Sequence, residues 1–259
     1  MNSLKHNLIL ALIVIFISSC STNDNNQNES KEISNFYKKT TLIRDSEISS
    51  FQEVFYNADN KIENVVTSID DNWKVSTIEI EYDQGEISII SKRVEYDDSY
   101  SDNETNTFEE FEVFQGYEEI ILKGINNTEK SIRIEFTGNY VDLIDIFSHS
   151  NERLEYYTFK RNSENNIVFF SDENIDFNYS NFDQGNVLPL HREYSIDYLL
   201  AFGLKPSKKL PLTQESIHSS GGNSQESTMD SSLFSYDQND NIIKYGHNEN
   251  YWEYTYIDL

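Results

Sequence analysis

The side chain in the most specific setting is the only cysteine, Cys20. A lone basic residue, Lys5, is followed by an apolar run from Leu8 to Ile17, then by Ser18 and Ser19, and then by this thiol. That order is a secretory signal ending at a lipid-attachment cysteine, where cleavage frees an amino group and acyl chains such as palmitate modify the residue. The apolar run is too short to cross a bilayer as a helix. Two or more acyl chains on Cys20 give durable anchoring where a single chain is marginal. Ser21 follows instead of Asp, so nothing marks retention at an inner membrane, and the outer membrane is the expected address.

Other residues have types that do chemistry, but their spacing does not assemble it. His149, His191, His218 and His247 form no ligand pair at metal-site spacing. Asp237-Gln238-Asn239-Asp240-Asn241 begins like a calcium loop, yet Ile242 stands where a Gly is needed and Asn248 where a Glu closes the loop. A hairpin turn accounts for it better. The acidic run from Asp97 to Glu104 reads as a solvated loop. No Gly-x-Ser-x-Gly elbow occurs, and Gly221-Gly222 lacks the Gly-Lys-Ser/Thr of a phosphate loop. No cofactor or metal is therefore expected. The aromatic residues Trp252, Tyr254 and Tyr256, with Tyr251 and Trp73, are candidates for stacking on a sugar ring or a protein partner. Residues at alternate strand positions equally serve as core or cross-strand pairs.

Composition limits the partners. Lys and Arg total 20 against 45 Asp and Glu, a net charge of −25. Cleavage before Cys20 leaves 19 basic residues and all 45 acids, a net −26. Such a surface repels nucleic acid and anionic lipid headgroups, so no nucleic-acid partner is expected. Aromatic residues make up 14% of the chain, which disordered chains do not reach, and Tyr and Phe favour strands. With no second cysteine, stability must come from core burial and not from disulfides.

The elements that would carry any site are strands. Ile132, Ile134 and Phe136 alternate with Arg133 and Glu135; Ile78, Ile80 and Tyr82 alternate with Glu79 and Glu81; Trp252, Tyr254 and Tyr256 alternate with Glu253 and Thr255. Between such runs a turn recurs: Phe55 to Ile62, Tyr82 to Ile87, Phe159 to Ile167 and Tyr236 to Ile242 each pass from an aromatic strand end through Asn, Asp or Gly into a new strand. Asn, Asp and Gly accept the left-handed backbone that tight hairpins demand. The repetition predicts an all-β fold, a long antiparallel meander of a dozen or more strands forming a soluble barrel or a strongly curved sheet. Two segments depart from it. Ser195 to Phe202, with Gly203 and Pro206 behind it, reads as one short helix. Ser216 to Ser232 reads as a long exposed loop.

The last third also carries a family resemblance. Asn181-Phe182-Asp183-Gln184-Gly185-Asn186-Val187-Leu188-Pro189, the short helix, Ser207-Lys208-Lys209-Leu210-Pro211, a variable polar loop and the turn at Tyr236 to Ile242 follow in order. This order resembles a family of uncharacterised Bacteroidota lipoproteins built on a domain of unknown function with a porin-like fold. The resemblance extends over roughly residues 51–258 and departs at Val187-Leu188, where the family has Asn-Pro after the aspartate. It implies a fold and an envelope location, and no catalytic residues.

The chain is thus expected to comprise a signal peptide (1–19), a lipidated tether (20–35) and a single β-meander domain (36–259). The expected role is a non-enzymatic outer-membrane lipoprotein that binds or scaffolds a glycan or an envelope or extracellular protein. Two alternatives stay open: an extracellular polysaccharide hydrolase with paired carboxylates, and a carrier of apolar cargo. Cys20→Ala is expected to move the protein from the membrane fraction to the soluble fraction; sedimentation with membranes regardless would remove the anchoring argument.

Overall fold

Period-two alternation continues through nearly all of the chain seen in the computed structural model, which describes residues 35–69, 73–97, 105–172, 175–186, 198–218, 224–247 and 249–258. Cys20 lies outside the described residues. The strands are β1 (Asn35–Arg44), β2 (Glu47–Tyr56), β3 (Ile62–Ile69), β4 (Lys74–Asp83), β5 (Glu86–Tyr96), β6 (Thr107–Gln115), β7 (Glu119–Ile125), β8 (Lys130–Thr137) and β9 (Tyr140–Ser148). They continue with β10 (Arg153–Arg161), β11 (Ile167–Ser171), β12 (Ile175–Asn186), β13 (Lys209–His218), β14 (Gln225–Thr228), β15 (Phe234–Tyr236), β16 (Ile242–His247) and β17 (Asn250–Asp258). All seventeen belong to one antiparallel sheet, and among the described residues one short α-helix, α1 (Tyr198–Ala201), stands between β12 and β13 in sequence. The expected all-β meander is therefore the fold.

Two kinds of turn recur in it. Asp45-Ser46, Gln84-Gly85 and Asn126-Asn127 have positive φ at both central residues, the primed turn that matches strand twist. The longer turns share one scheme. Asn57 accepts hydrogen bonds at its Oδ1 from the backbone of Asp59 (2.9 Å) and Lys61 (3.0 Å), while its own N–H donates to the Lys61 carbonyl (2.8 Å) and Asn60 sits at φ 61°. Asn162 does the same with Glu164 and Asn166, and Asp237 with Asn239 and Asn241. Ser148 makes a partial copy with Glu152. The Asp237 segment is thus a hairpin turn whose carboxylate is occupied by its own backbone.

Meander parity sorts the turns to two ends. Those after β2, β4, β6, β8, β10 and β15 share one end; those after β1, β3, β5, β7, β9, β11 and β16 share the other. β1 pairs with both β2 and β17, so the first and last of the described strands lie side by side. The ladder is nevertheless not closed. Residues 225–236 run in one direction, first paired with β13 as β14 and then with β16 as β15. A 3-10 turn, Ser231–Leu233, interrupts them, with the Asp230 side chain accepting from Ser232 N–H at its start. Side chains cover this seam: Leu210, Phe234 and Ile242 pack with Leu212, Met229, Tyr245 and Tyr254. Across it the Tyr236 hydroxyl donates to buried Asp183 at 2.7 Å. The loop expected over Ser216 to Ser232 is corrected here: β13 runs on to His218, and β14 occupies 225–228. Their Thr and Ser residues extend the ladder by backbone pairing, which apolar periodicity does not register.

One face of the sheet is apolar and filled. Ile78, Ile90, Phe111, Leu122, Ile132, Ile134, Val141, Ile144 and Ile167 are essentially fully buried. Gly124 opposes Phe111, and a Cβ there would lie 2.3 Å from the Thr128 and Lys130 carbonyls, so only glycine fits. Toward the end away from α1's own turns the same face becomes polar, in a cross-strand row Thr40–Gln52–Thr67–Ser76. The opposite face carries Glu79, Glu81, Arg93, Glu95, Glu112 and Lys123, all exposed. Barrels that cross a bilayer show the reverse sidedness, and charge at mid-bilayer costs roughly 2–4 kcal/mol for Arg or Lys.

The repeated turn generates a pH prediction. Partial burial acts to raise the Asp237 carboxyl, but hydrogen bonds from the Asn241 side chain and backbone and from the Asn239 backbone outweigh it and hold it below the usual range. A depressed folded value stabilises above the unfolded value of about 3.9 and ceases to do so as pH falls through the folded one. Asp237→Asn keeps the acceptor that Asn57 and Asn162 use. It is expected to cost at most about 1 kcal/mol at pH 7, because solvent screens the site. In urea unfolding this difference should shrink to nothing as pH drops below about 4.

Candidate functional site

α1 is short because the chain turns sharply behind it. Gly203 takes φ +66°, its N–H donates to the Leu200 carbonyl (3.0 Å), and Leu204 N–H donates to Leu199 (3.0 Å), the pair of bonds that ends helices at a left-handed glycine. The helix expected over Ser195 to Phe202 is seen as Tyr198–Ala201, with 195–197 outside the described residues. Tyr198, Leu199, Leu200 and Leu204 are buried in the main core, so α1 fills one end of the curled sheet. Its exit is pinned. Lys205 N–H donates to Asn139 (2.9 Å), Val141 N–H donates to Lys205 (3.0 Å), and the Ser207 hydroxyl accepts from Ile167 N–H (3.0 Å) while donating to Lys209 (2.7 Å).

Tyr198 carries the plug into the polar half of the interior. Its ring meets Phe111 edge-on at 5.5 Å, its hydroxyl donates to Glu109 at 3.0 Å, and Lys92 lies 5.5 Å over the ring. Glu109 also pairs with Lys130 at 2.6 Å.

Between α1 and the turns on its side lies a cavity of about 370 Å³. Ala201, Phe202 and Leu204 line it from the helix; Ile62, Tyr82, Ile87, Ile120 and Phe136 line it from the strands. Its polar lining comes from Lys61, Glu86, Gln115 and Asn139, at or beside hairpin turns. Lys61 Nζ donates to the Gly85 carbonyl and lies 5.1 Å over the Tyr82 ring. The Tyr82 hydroxyl donates to Ile62 (2.7 Å), and burial raises this phenol, which keeps it a neutral donor. Burial likewise pushes Tyr56 up to about 12.

A second depression, also about 370 Å³, is lined by Tyr117, Glu118, Glu119, Glu135, Phe136, Thr137 and Asp142. Its acids are largely committed to structure. Arg133 bridges Glu119 (2.7 Å) and Glu135, which face each other across β7 and β8. Asp142 pairs with Arg161 and accepts from Thr137 (2.7 Å). The hydrogen bond to Glu119 raises Arg133, burial opposes this, and the charges of Glu135, Glu119 and Asp145 add to it. Among the described residues no group of three or more His, Cys, Asp or Glu is placed to hold a metal ion.

The three aromatic candidates share one face of β17, and that face is the inner one. Tyr254 packs against both core clusters and its phenol is raised, by burial first and then by Tyr245. Tyr256 joins the main core and donates to the Ile242 carbonyl at 3.0 Å. Trp252 is half-buried between its cross-strand neighbours Leu42 and Tyr245. None of the three lines the cavity. Trp73 is edge-on to Tyr96 at 5.7 Å, on another part of the sheet. Phe136 and Phe202, which do line the cavity, belong to no chemical motif, and Lys61 and Tyr82 stood out only as parts of the recurring turn. The available signal was parity, since alternate turns of a meander converge on one end.

Tyr198→Phe, which removes the bond to Glu109, is expected to cost about 1–2 kcal/mol. Tyr198→Ala, which empties the plug, should cost about 3–5 kcal/mol. Denaturant midpoints measure both, and equal small losses would show that the plug contributes little.

Among solved structures the chain aligns with a porin-like protein from Bacteroides uniformis ATCC 8492, at 10% identity over 85% of this chain and 96% of that one, with a TM-score of 0.37. It also aligns with a porin-like protein from Bacteroides vulgatus ATCC 8482, at 12% identity over 87% and 100%, with a TM-score of 0.42. No protein-family model and no curated protein sequence matches the chain.

Proposed function

We propose that this protein is a non-catalytic binding module, held at the outer membrane by lipid on Cys20, whose ligand occupies the cavity beside α1. The observation that carries this reading is the cavity itself. About 370 Å³ lies within the range of small-molecule sites, and an apolar wall with a few polar groups at its mouth is their usual make-up. The hydrolase alternative has less support, because glycoside hydrolysis needs two carboxyl groups and the cavity lining offers one, Glu86. The volume favours one small molecule, or the end of a longer one, over bulky apolar cargo.

The test is thermal unfolding of the mature chain Cys20–Leu259, made without its leader so that Cys20 stays unlipidated, against oligosaccharides, single-chain amphiphiles and divalent cations. One class at about a hundredfold its dissociation constant should raise the melting temperature by about 5–10 °C. Gln115→Trp, an exposed change at the mouth, should remove that shift. No shift with any class, or shifts indifferent to Gln115→Trp, would overturn the cavity as the ligand site.

A further inference from the structure

We infer that the cavity beside α1 accepts an amphipathic anion, with its apolar part against Phe136, Phe202 and Leu204 and its acidic head on Lys61. The inference rests on the cavity being the ligand site. Its evidence is the setting of Lys61. Lys39 and Lys130 pair with Glu53 and Glu109, whereas Lys160 and Lys244 lie over aromatic rings; Lys61 is of the second kind and is the one lysine lining the cavity. Lys61 has none within ion-pair distance among the described residues; its ammonium is held by the Gly85 carbonyl and the Tyr82 ring. Glu86 shares the lining but is exposed and forms no pair with it. A neutral carbonyl and a ring face are partners that a carboxylate or phosphate can replace with a stronger charge-assisted bond.

The fold does not require a cation at this position. The residue closing each repeated turn is Lys61, Asn166, Asn241 or Glu152; what all copies share is its backbone N–H and carbonyl, and only Asn241 adds a side-chain bond to the first residue of the turn. Gly85 takes φ +92° because the primed turn requires it, and its lack of a Cβ also leaves room for Nζ, which would otherwise stand 3.3 Å away. The space then sets the size. At roughly 30 Å³ for each water-sized group, 370 Å³ holds about a dozen non-hydrogen atoms. A medium-chain carboxylate matches this count.

The probes are decanoate, decyl phosphate and decanol, titrated calorimetrically into the same unlipidated mature chain. Decanoate or decyl phosphate should bind at least about tenfold more tightly than decanol, and the better of the two identifies the head group. Lys61→Gln should erase the advantage and leave decanol unchanged. Gln115→Trp at the rim and Ala201→Leu in the floor should weaken all three, with melting curves confirming that each variant is folded. Decanol binding as well as the anions, or an advantage that survives Lys61→Gln, overturns the anion inference while the cavity stands. Oligosaccharide binding that Gln115→Trp abolishes, without binding of any decyl probe, does the same. If no probe or oligosaccharide responds to either blocking variant, the cavity reading falls with it.

Discussion

A single sheet with one apolar face has nothing to pack against except itself, and the rest of this structure follows from that constraint. No second sheet lies among the described residues, and α1 is only four residues long. The inner rows of β4 to β9 therefore share one cluster with Phe159, Phe170 and Tyr179 on β10 to β12 and with Tyr254 and Tyr256 on β17. Seventeen strands are enough for the sheet to curl, and β1 joins β17 to bring the first and last described strands into the same wall. The curl leaves its ends unfilled. At one of them Leu199, Leu200 and Leu204 do what a second layer would do elsewhere.

The curl also has to meet itself, and it does so without completing a ladder. The segment that should be the strand between β13 and β16 is shared, four residues to β13 and three to β16, with the 3-10 turn between. Backbone closure gives way there to side-chain closure, through Leu210 of β13 clustered with Phe234 and Ile242 and through the Tyr236–Asp183 bond. Desolvation, together with the hydrogen bond and charge of Asp183, raises the Tyr236 phenol, so the bond keeps its donor across ordinary pH. The edges on either side are short and polar: all four β14 residues are exposed, which suits an edge that must not recruit a foreign strand.

Much of this was legible because hairpins are local. The alternation at Ile132 to Phe136 and the recurring Asn or Asp turn need only neighbours in sequence to act, so fold class and most strand positions could be read directly. The split of β14 from β15 was not legible, since Gln225 to Thr228 is polar on both faces and its strand exists only because β13 is beside it. Trp252, Tyr254 and Tyr256 were legible as one face of a strand, but nothing local shows whether that face turns toward core or solvent. The cavity was the least visible. Lys61, Gln115, Asn139 and Phe202 meet only after the meander has curled and the segment behind α1 has been pinned to the starts of β9 and β11.

The interior is graded, and the gradient explains why the candidate site lies where it does. Away from α1's end the inner face holds Thr40, Gln52, Thr67 and Ser76, then Lys92, Glu109 and Lys130, groups that need water or one another. Toward α1's end the same strands carry Val54, Val65, Ile78 and Ile80, and their neighbours add Ile120 and Ile134. Tyr198 spans the two regions, with its ring on Phe111 and its hydroxyl on Glu109. A space left in the polar region would hold water bound to those groups; one left among Ile62, Ile120, Phe136 and Phe202 has few such partners. Displacing water from the second wall by an apolar group is favourable, in proportion to the area covered. The plug that completes the core therefore also decides that the space it leaves open is at the apolar end, beneath turns whose closing residue the fold leaves free to vary.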